Sequence, residues 1–187
     1  MRYLALAALA GVLVASVAGA EIVKTASIDD PKCQGICLHW WPKVTPPKGW
    51  TQDMGASQEY NLNFMVPKDG NGDVVIYANA QQLKGQAATV AGFMADDRAT
   101  FERHNKGLKV VDGPLLVTGD GQKMPTLIFN PAPGQAQPGR WEIAAYGRET
   151  DKEGNAYYLV FILSAATEAG RDQTLPVFKG VVSGYRK

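Results

Sequence analysis

Three side chains with metal or redox chemistry stand within seven residues: Cys33, Cys37 and His39, the two cysteines separated by Gln34-Gly35-Ile36. Two soft sulfur donors and an imidazole in one short loop could hold a copper ion if the thiols were reduced, with Met54 as a further donor. An oxidising compartment favours a different outcome. There, an even pair of cysteines in a glycine-containing loop closes as a disulfide, and Cys33 with Cys37 is read that way. The spacing is not Cys-x-x-Cys and no βαβ pattern precedes it, so disulfide-exchange chemistry is not indicated. A structural disulfide is the expectation, and a periplasmic copper-handling protein using Cys33, Cys37 and His39 is the alternative.

The other candidates have less chemistry in them. Asp69-Gly70-Asn71-Gly72-Asp73 imitates the first half of a calcium loop, but Val74 stands where the glycine belongs and Ala80 where the closing glutamate belongs, so a polar turn is expected. Hydrolytic catalysis needs a nucleophile with a base, and a chain with two histidines, no G-x-S-x-G and no H-E-x-x-H offers neither arrangement. Asp97 and His104 share one stripe of a helix, about 10 Å apart along its axis, too far to pair. Asp97 is therefore expected to meet a donor at the edge of the core, and His104 to sit as a favourable charge in the last turn. Glu142 and Arg148 lie at even separation in one strand, which reads as a surface charge pair. Trp40, Trp41, Trp50 and Tyr60 are grouped where an N-terminal arm would meet the domain. Packing of that arm is the ordinary account, and a groove for a ligand or partner is the functional one.

These residues must be positioned by an ordered framework, and the hydrophobic pattern supplies it. Residues 21–50 carry turn and polyproline signals, Asp29-Asp30-Pro31 and Thr45-Pro46-Pro47-Lys48-Gly49, on either side of the Cys loop. They read as an irregular arm that is docked because of its tryptophans. Alternation from Tyr60 to Val66 predicts a half-buried strand, a Gly-rich turn follows, and Val74 to Ala78 reads as a buried strand. From Thr89 to His104 the period changes to that of a helix with Val90, Phe93, Met94 and Phe101 on one face, closed by Gly107. Short strands are expected at 108–111, 114–118 and 123–129, and a long hairpin from Trp141 to Gly147 and from Tyr157 to Leu163. Leu175, Phe178, Val181, Val182 and Tyr185 form the apolar face of a last helix. Strands, a helix, more strands and a helix make an α+β domain, an antiparallel sheet flanked by helices.

Both ends of the composition agree with export. Arg2, the apolar run from Tyr3 to Val17 and Ala18-Gly19-Ala20 have the pattern of a signal peptide over 1–20 cleaved before Glu21. The run is shorter than the roughly 20 residues of a membrane span, so no stable membrane insertion is expected after cleavage. The expected organisation is thus 1–20 signal peptide, 21–50 arm with the Cys loop, and 51–187 a single α+β domain. The chain has 187 residues with 19 basic and 18 acidic side chains, and loss of Arg2 leaves 18 of each. A neutral mature protein has no electrostatic footprint for nucleic acid.

The run Tyr158-Leu159-Val160-Phe161-Ile162-Leu163-Ser164-Ala165-Ala166, followed after a polar stretch by Phe178-Lys179-Gly180-Val181-Val182-Ser183-Gly184-Tyr185-Arg186, resembles the ending of PsbP-like proteins. Pro47-Lys48-Gly49-Trp50, with the strand through Phe64 and Pro67, is similar to the start of that domain. The resemblance spans about Trp50 to Arg186 and leaves the Cys loop outside it. It implies an αβα sandwich, used in photosystem subunits, a small-GTPase-binding import factor and bacterial envelope proteins of unknown role. It carries no shared active site, so no residue inherits a role from it. The expectation for function is an exported, periplasmic or secreted, non-enzymatic accessory protein without a cofactor, which binds an envelope protein or a small molecule.

Overall fold

The computed structural model describes residues 22–27, 36–70, 72–83, 89–132 and 139–186. Its centre is the hairpin expected from the sequence, β10 (Trp141–Thr150) against β11 (Ala156–Ala165), paired along all ten residues of each strand. Both strands are apolar on both faces, so both faces must be covered. Ile143 and Ala145 with Leu159, Phe161 and Leu163 face one side, where Phe178, Val181, Val182 and Tyr185 of helix α3 (Glu168–Gly184) pack on them. Ala144, Tyr146 and Val160 face the other, under Val90, Phe93 and Met94 of helix α2 (Val90–His104). The result is an α+β molecule with a helix on each side of an antiparallel sheet.

The sheet grows from this hairpin in both directions. Strand β5 (Val74–Gln82) pairs along its whole length with Tyr157 to Ala165 of β11, beyond the Ala78 limit that the sequence suggested. On the far side β9 (Thr126–Asn130) pairs with β10, and β6 (Lys109–Asp112) with β9. The expected strand at 123–129 is interrupted at Pro125, which has no amide hydrogen to give to a ladder. Its first part, β8 (Lys123–Met124), instead makes a small ribbon with β7 (Leu116–Val117).

The N-terminal segment differs from its reading as an irregular arm. Ile22–Ser27 (β1) and Cys37–Pro42 (β2) are strands in antiparallel register, and Trp40 of β2 pairs with Ala80 of β5. The turn signals at 29–31 and 45–49 flank β2 and do not continue through it. Expected docking is seen: Trp41 and Val44 are buried, and Trp40 and Trp50 are partly buried.

The strand expected from Tyr60 is also corrected. Met54–Tyr60 is a short helix, α1, capped by the Asp53 side chain, which accepts from the Ala56 amide at 2.9 Å. Asn61 then turns the chain with φ 57°, a conformation asparagine tolerates better than most residues. Only then does β4 (Asn63–Pro67) begin, paired with β5 and with the three-residue β3 (Trp50–Gln52). At the end of α2 the cap is Asn105, whose amide donates to the Phe101 carbonyl. Gly107, expected to be the cap, takes φ +84° in the turn beyond. Among the described residues no helix is long and apolar enough to cross a membrane.

Candidate functional site

The sheet curls at one end, so that β1 meets the turn between β10 and β11. Lys24 makes the contact, with its ammonium 3.3 Å from Asp151 and 2.5 Å from Glu153. The turn is built around Asp151. Its Oδ1 accepts from the amides of Glu153 and Asn155, both at 2.9 Å, and its Oδ2 accepts from the Tyr157 hydroxyl at 2.9 Å and the Asn155 side chain at 3.0 Å. Desolvation works against the charge of Asp151, but these hydrogen bonds outweigh it and hold the pKa far below the usual carboxylate range. The hydrogen bond to Glu153 raises the pKa of Lys24 in the same network.

Behind this closure lies a cavity of about 840 Å³ between the β1–β2 hairpin, the β3–α1–β4 segment and the end of β10 with the turn that follows it. Its lining combines Trp41, Met54 and Ile22 with Lys24, Asn63 and Glu149. The polar members include two buried groups: Asn63 is 2% exposed and Glu149 is 4% exposed. Glu149 accepts a hydrogen bond from the hydroxyl of Tyr185, at the end of α3. The side-chain oxygen of Asn63 is fully buried and has no hydrogen-bond donor among the described residues. A buried polar atom left this way costs about 1–3 kcal/mol, so it marks a place where stability has been given up.

The four aromatics singled out in the sequence are divided. Trp41 lines the cavity. Trp40 packs on Tyr157 with ring centroids 6.1 Å apart, and Trp50 packs partly buried against the α3-side core. Tyr60, at the end of α1, is 58% exposed and lines a separate cleft with Phe64 and Tyr77. Cys37 and His39 lie two residues apart on β2, opposite Ser27 and Thr25. Cys33 lies outside the described residues, as does the bridge expected between the cysteines. Among the described residues no group of three His, Cys, Asp or Glu side chains could hold a metal ion.

Asp97 meets a side-chain donor, the hydroxyl of the buried Tyr146, at 2.9 Å. Burial raises the pKa of Asp97, and that hydrogen bond only partly offsets it. His104 is exposed in the last turn of α2. The Asp69–Asp73 segment forms the turn between β4 and β5, with φ +71° at Gly70 and +60° at Gly72, and Asn71 is outside the described residues.

The Glu142–Arg148 pair is a correction. Six strand residues span about 20 Å, so the two cannot touch even on one face. Glu142 accepts from the Ser164 hydroxyl at 2.6 Å, beside Arg140, whose Nε donates to the same Ser164 oxygen at 2.7 Å. Burial raises the pKa of Glu142.

Asn63 and Glu149 were not singled out from the sequence. A signal for Asn63 was present: Leu62-Asn63-Phe64-Met65-Val66 has Met65 on the Asn63 side, so both faces of that strand are apolar and Asn63 must be buried. Glu149 carries no such sign, because it follows the Gly147 at which the apolar pattern ends. No family model matches the chain, and no curated protein matches it.

Proposed function

We propose that this is an exported binding protein, without catalysis of its own, which holds a small polar ligand in the cavity behind the Lys24–Asp151 closure. The observation that carries this reading is the side-chain oxygen of Asn63, buried on the cavity lining with no donor among the described residues. With a small rotation of the Asn63 amide into the cavity, a ligand that brings a hydrogen-bond donor to its oxygen and an apolar face to Trp41 recovers the desolvation cost of that oxygen. Fixed hydrogen bonds and ion pairs around the rim hold geometry, which suits binding more than turnover.

Export rests on the signal pattern of residues 1–20, and places the mature protein in a periplasm or outside the cell. In that compartment Cys33 and Cys37 form a disulfide that ties the loop before β2, in keeping with a Cys37 that is not a free thiol. Helices on both faces of an antiparallel sheet support a PsbP-like αβα sandwich as the fold group, with the β1–β2 hairpin as this chain's addition.

The test is a fluorescence titration of the mature protein, since Trp41 sits in the cavity. The probes are glucose, putrescine and the free amino acids. At least one is expected to change the emission saturably, and Asn63→Leu, which removes the acceptor at similar volume, is expected to abolish that response. If none saturates, or if Asn63→Leu binds as the wild type does, the cavity is not the binding site.

A further inference from the structure

We propose that the opposite face of the sheet carries a second, independent binding site, a shallow cleft for a neutral saccharide. The cleft measures about 500 Å³ and lies beside Phe64, Tyr77 and Val75, with Tyr60 at its rim and Arg140, Glu142 and Ser164 at its polar end. Register places it on the α2 side: Phe64 stands opposite Tyr77, Tyr77 opposite Ile162, and Glu142 opposite Ser164. The cavity of Asn63 lies on the other side, because Asn63 stands opposite Ala78, a member of the core under α3.

The aromatic part is a ladder. The rings of Phe64 and Tyr77 are stacked at 12° with centroids 6.1 Å apart, and the Tyr60 ring follows Phe64 at 6.0 Å and 37°. A run of three rings along an open cleft lines it with apolar area at intervals of about one ring, which suits the apolar patches of successive sugar units in an oligomer.

The polar part is preorganised. Ser164, 1% exposed, gives its proton to Glu142 Oε1 and receives one from Arg140 Nε, and the second Arg140 Nη is held by the carbonyls of Asp73 and Ser164 at 2.9 and 3.0 Å. The Tyr77 hydroxyl lies 3.4 Å from Glu142 Oε1. Among the described residues, Glu142 Oε2 and Arg140 Nη1 take no part in these hydrogen bonds, which leaves one acceptor and one donor on residues that both line the cleft. Sugar hydroxyls both donate and accept, so a saccharide in the cleft can answer each of these groups. A cation would meet Arg140 and an anion would meet Glu142, and this balance selects a neutral ligand.

The test titrates the full mature chain with maltotetraose, cellotetraose and N-acetylated chitotetraose, followed by calorimetry. At least one is expected to bind with a Kd of about 1 mM or tighter, which corresponds to about 4 kcal/mol. Tyr60→Ala is an exposed change and is expected to weaken binding several-fold with an unaltered fold. Phe64→Ala, checked by circular dichroism, is expected to weaken it about tenfold or more, since it removes the middle ring of the three. Asn63→Leu is expected to leave saccharide binding unchanged, which separates this site from the cavity. The proposal is overturned if no tetrasaccharide binds, or if one binds with an affinity that neither Tyr60→Ala nor Phe64→Ala changes.

Discussion

Asn63 and Asp151 show two opposite uses of a polar side chain in one site. Asp151 is surrounded by donors and stabilises the fold in its charged form. Because its folded pKa is depressed, that contribution is complete above its unfolded value, about 3.9, and is lost as pH falls through the lower folded value. Acid unfolding followed by circular dichroism should therefore show Asp151→Asn to be less dependent on pH below about 4 than the wild type. Asn63 is the reverse, a buried acceptor whose presence costs stability in the free protein. In urea, Asn63→Leu is expected to raise the unfolding free energy by about 1–3 kcal/mol with the same slope, the signature of a group kept for binding. A lower stability would mean that the amide makes a structural bond. Asp97 is a half-buried carboxylate shifted the other way. Its folded pKa is raised, so the ionised form is disfavoured by folding and the protein gains stability as pH falls through that value. At neutral pH, Asp97→Asn, which can still accept from Tyr146, should raise the melting temperature slightly in a calorimetric scan. That Asp97 meets a donor was legible in the sequence, whereas the identity of that donor, 49 residues away, and the bond of Glu149 to a hydroxyl 36 residues away were not.

At the scale of the elements, legibility followed length. Helices α2 and α3 and the β10–β11 hairpin each repeat their hydrophobic period several times, and the reading of each agrees with the structure apart from a few terminal residues. Strands β1 and β2, of six residues each, are enclosed by proline, glycine and aspartate, and pairing with β5 decides their state more than their own pattern does. Helix α1 has only seven residues and shows itself mainly in its Asp53 cap. The cap is expected to be worth about 1 kcal/mol, so Asp53→Ala should reduce stability by that amount. It should also loosen Tyr60, which α1 presents to the saccharide cleft. Helix α3 matters differently. Phe178 is fully buried beneath it, and Phe178→Ala should cost about 3–5 kcal/mol in denaturant unfolding, enough to threaten a domain of this size.

For the whole molecule, a helix on each face leaves the edges and ends of the sheet as the places where binding can occur. The N-terminal hairpin forms one wall of the larger cavity, and the uncovered part of the α2 face remains a cleft. The fold class was readable from the order of the elements, whereas the curl that joins Lys24 to Asp151 was not, since those residues are 127 positions apart and neither has a periodic signature. The account rests on an exported chain whose cysteines are structural and whose cavity does the binding. Native mass spectrometry of the protein isolated from its own compartment without reductant tests this most directly. The account predicts a mass that begins at Glu21 and is two hydrogens light, unchanged by a thiol-alkylating reagent. Free thiols, a retained leader or a bound copper ion would contradict it and would turn attention to Cys33, Cys37 and His39.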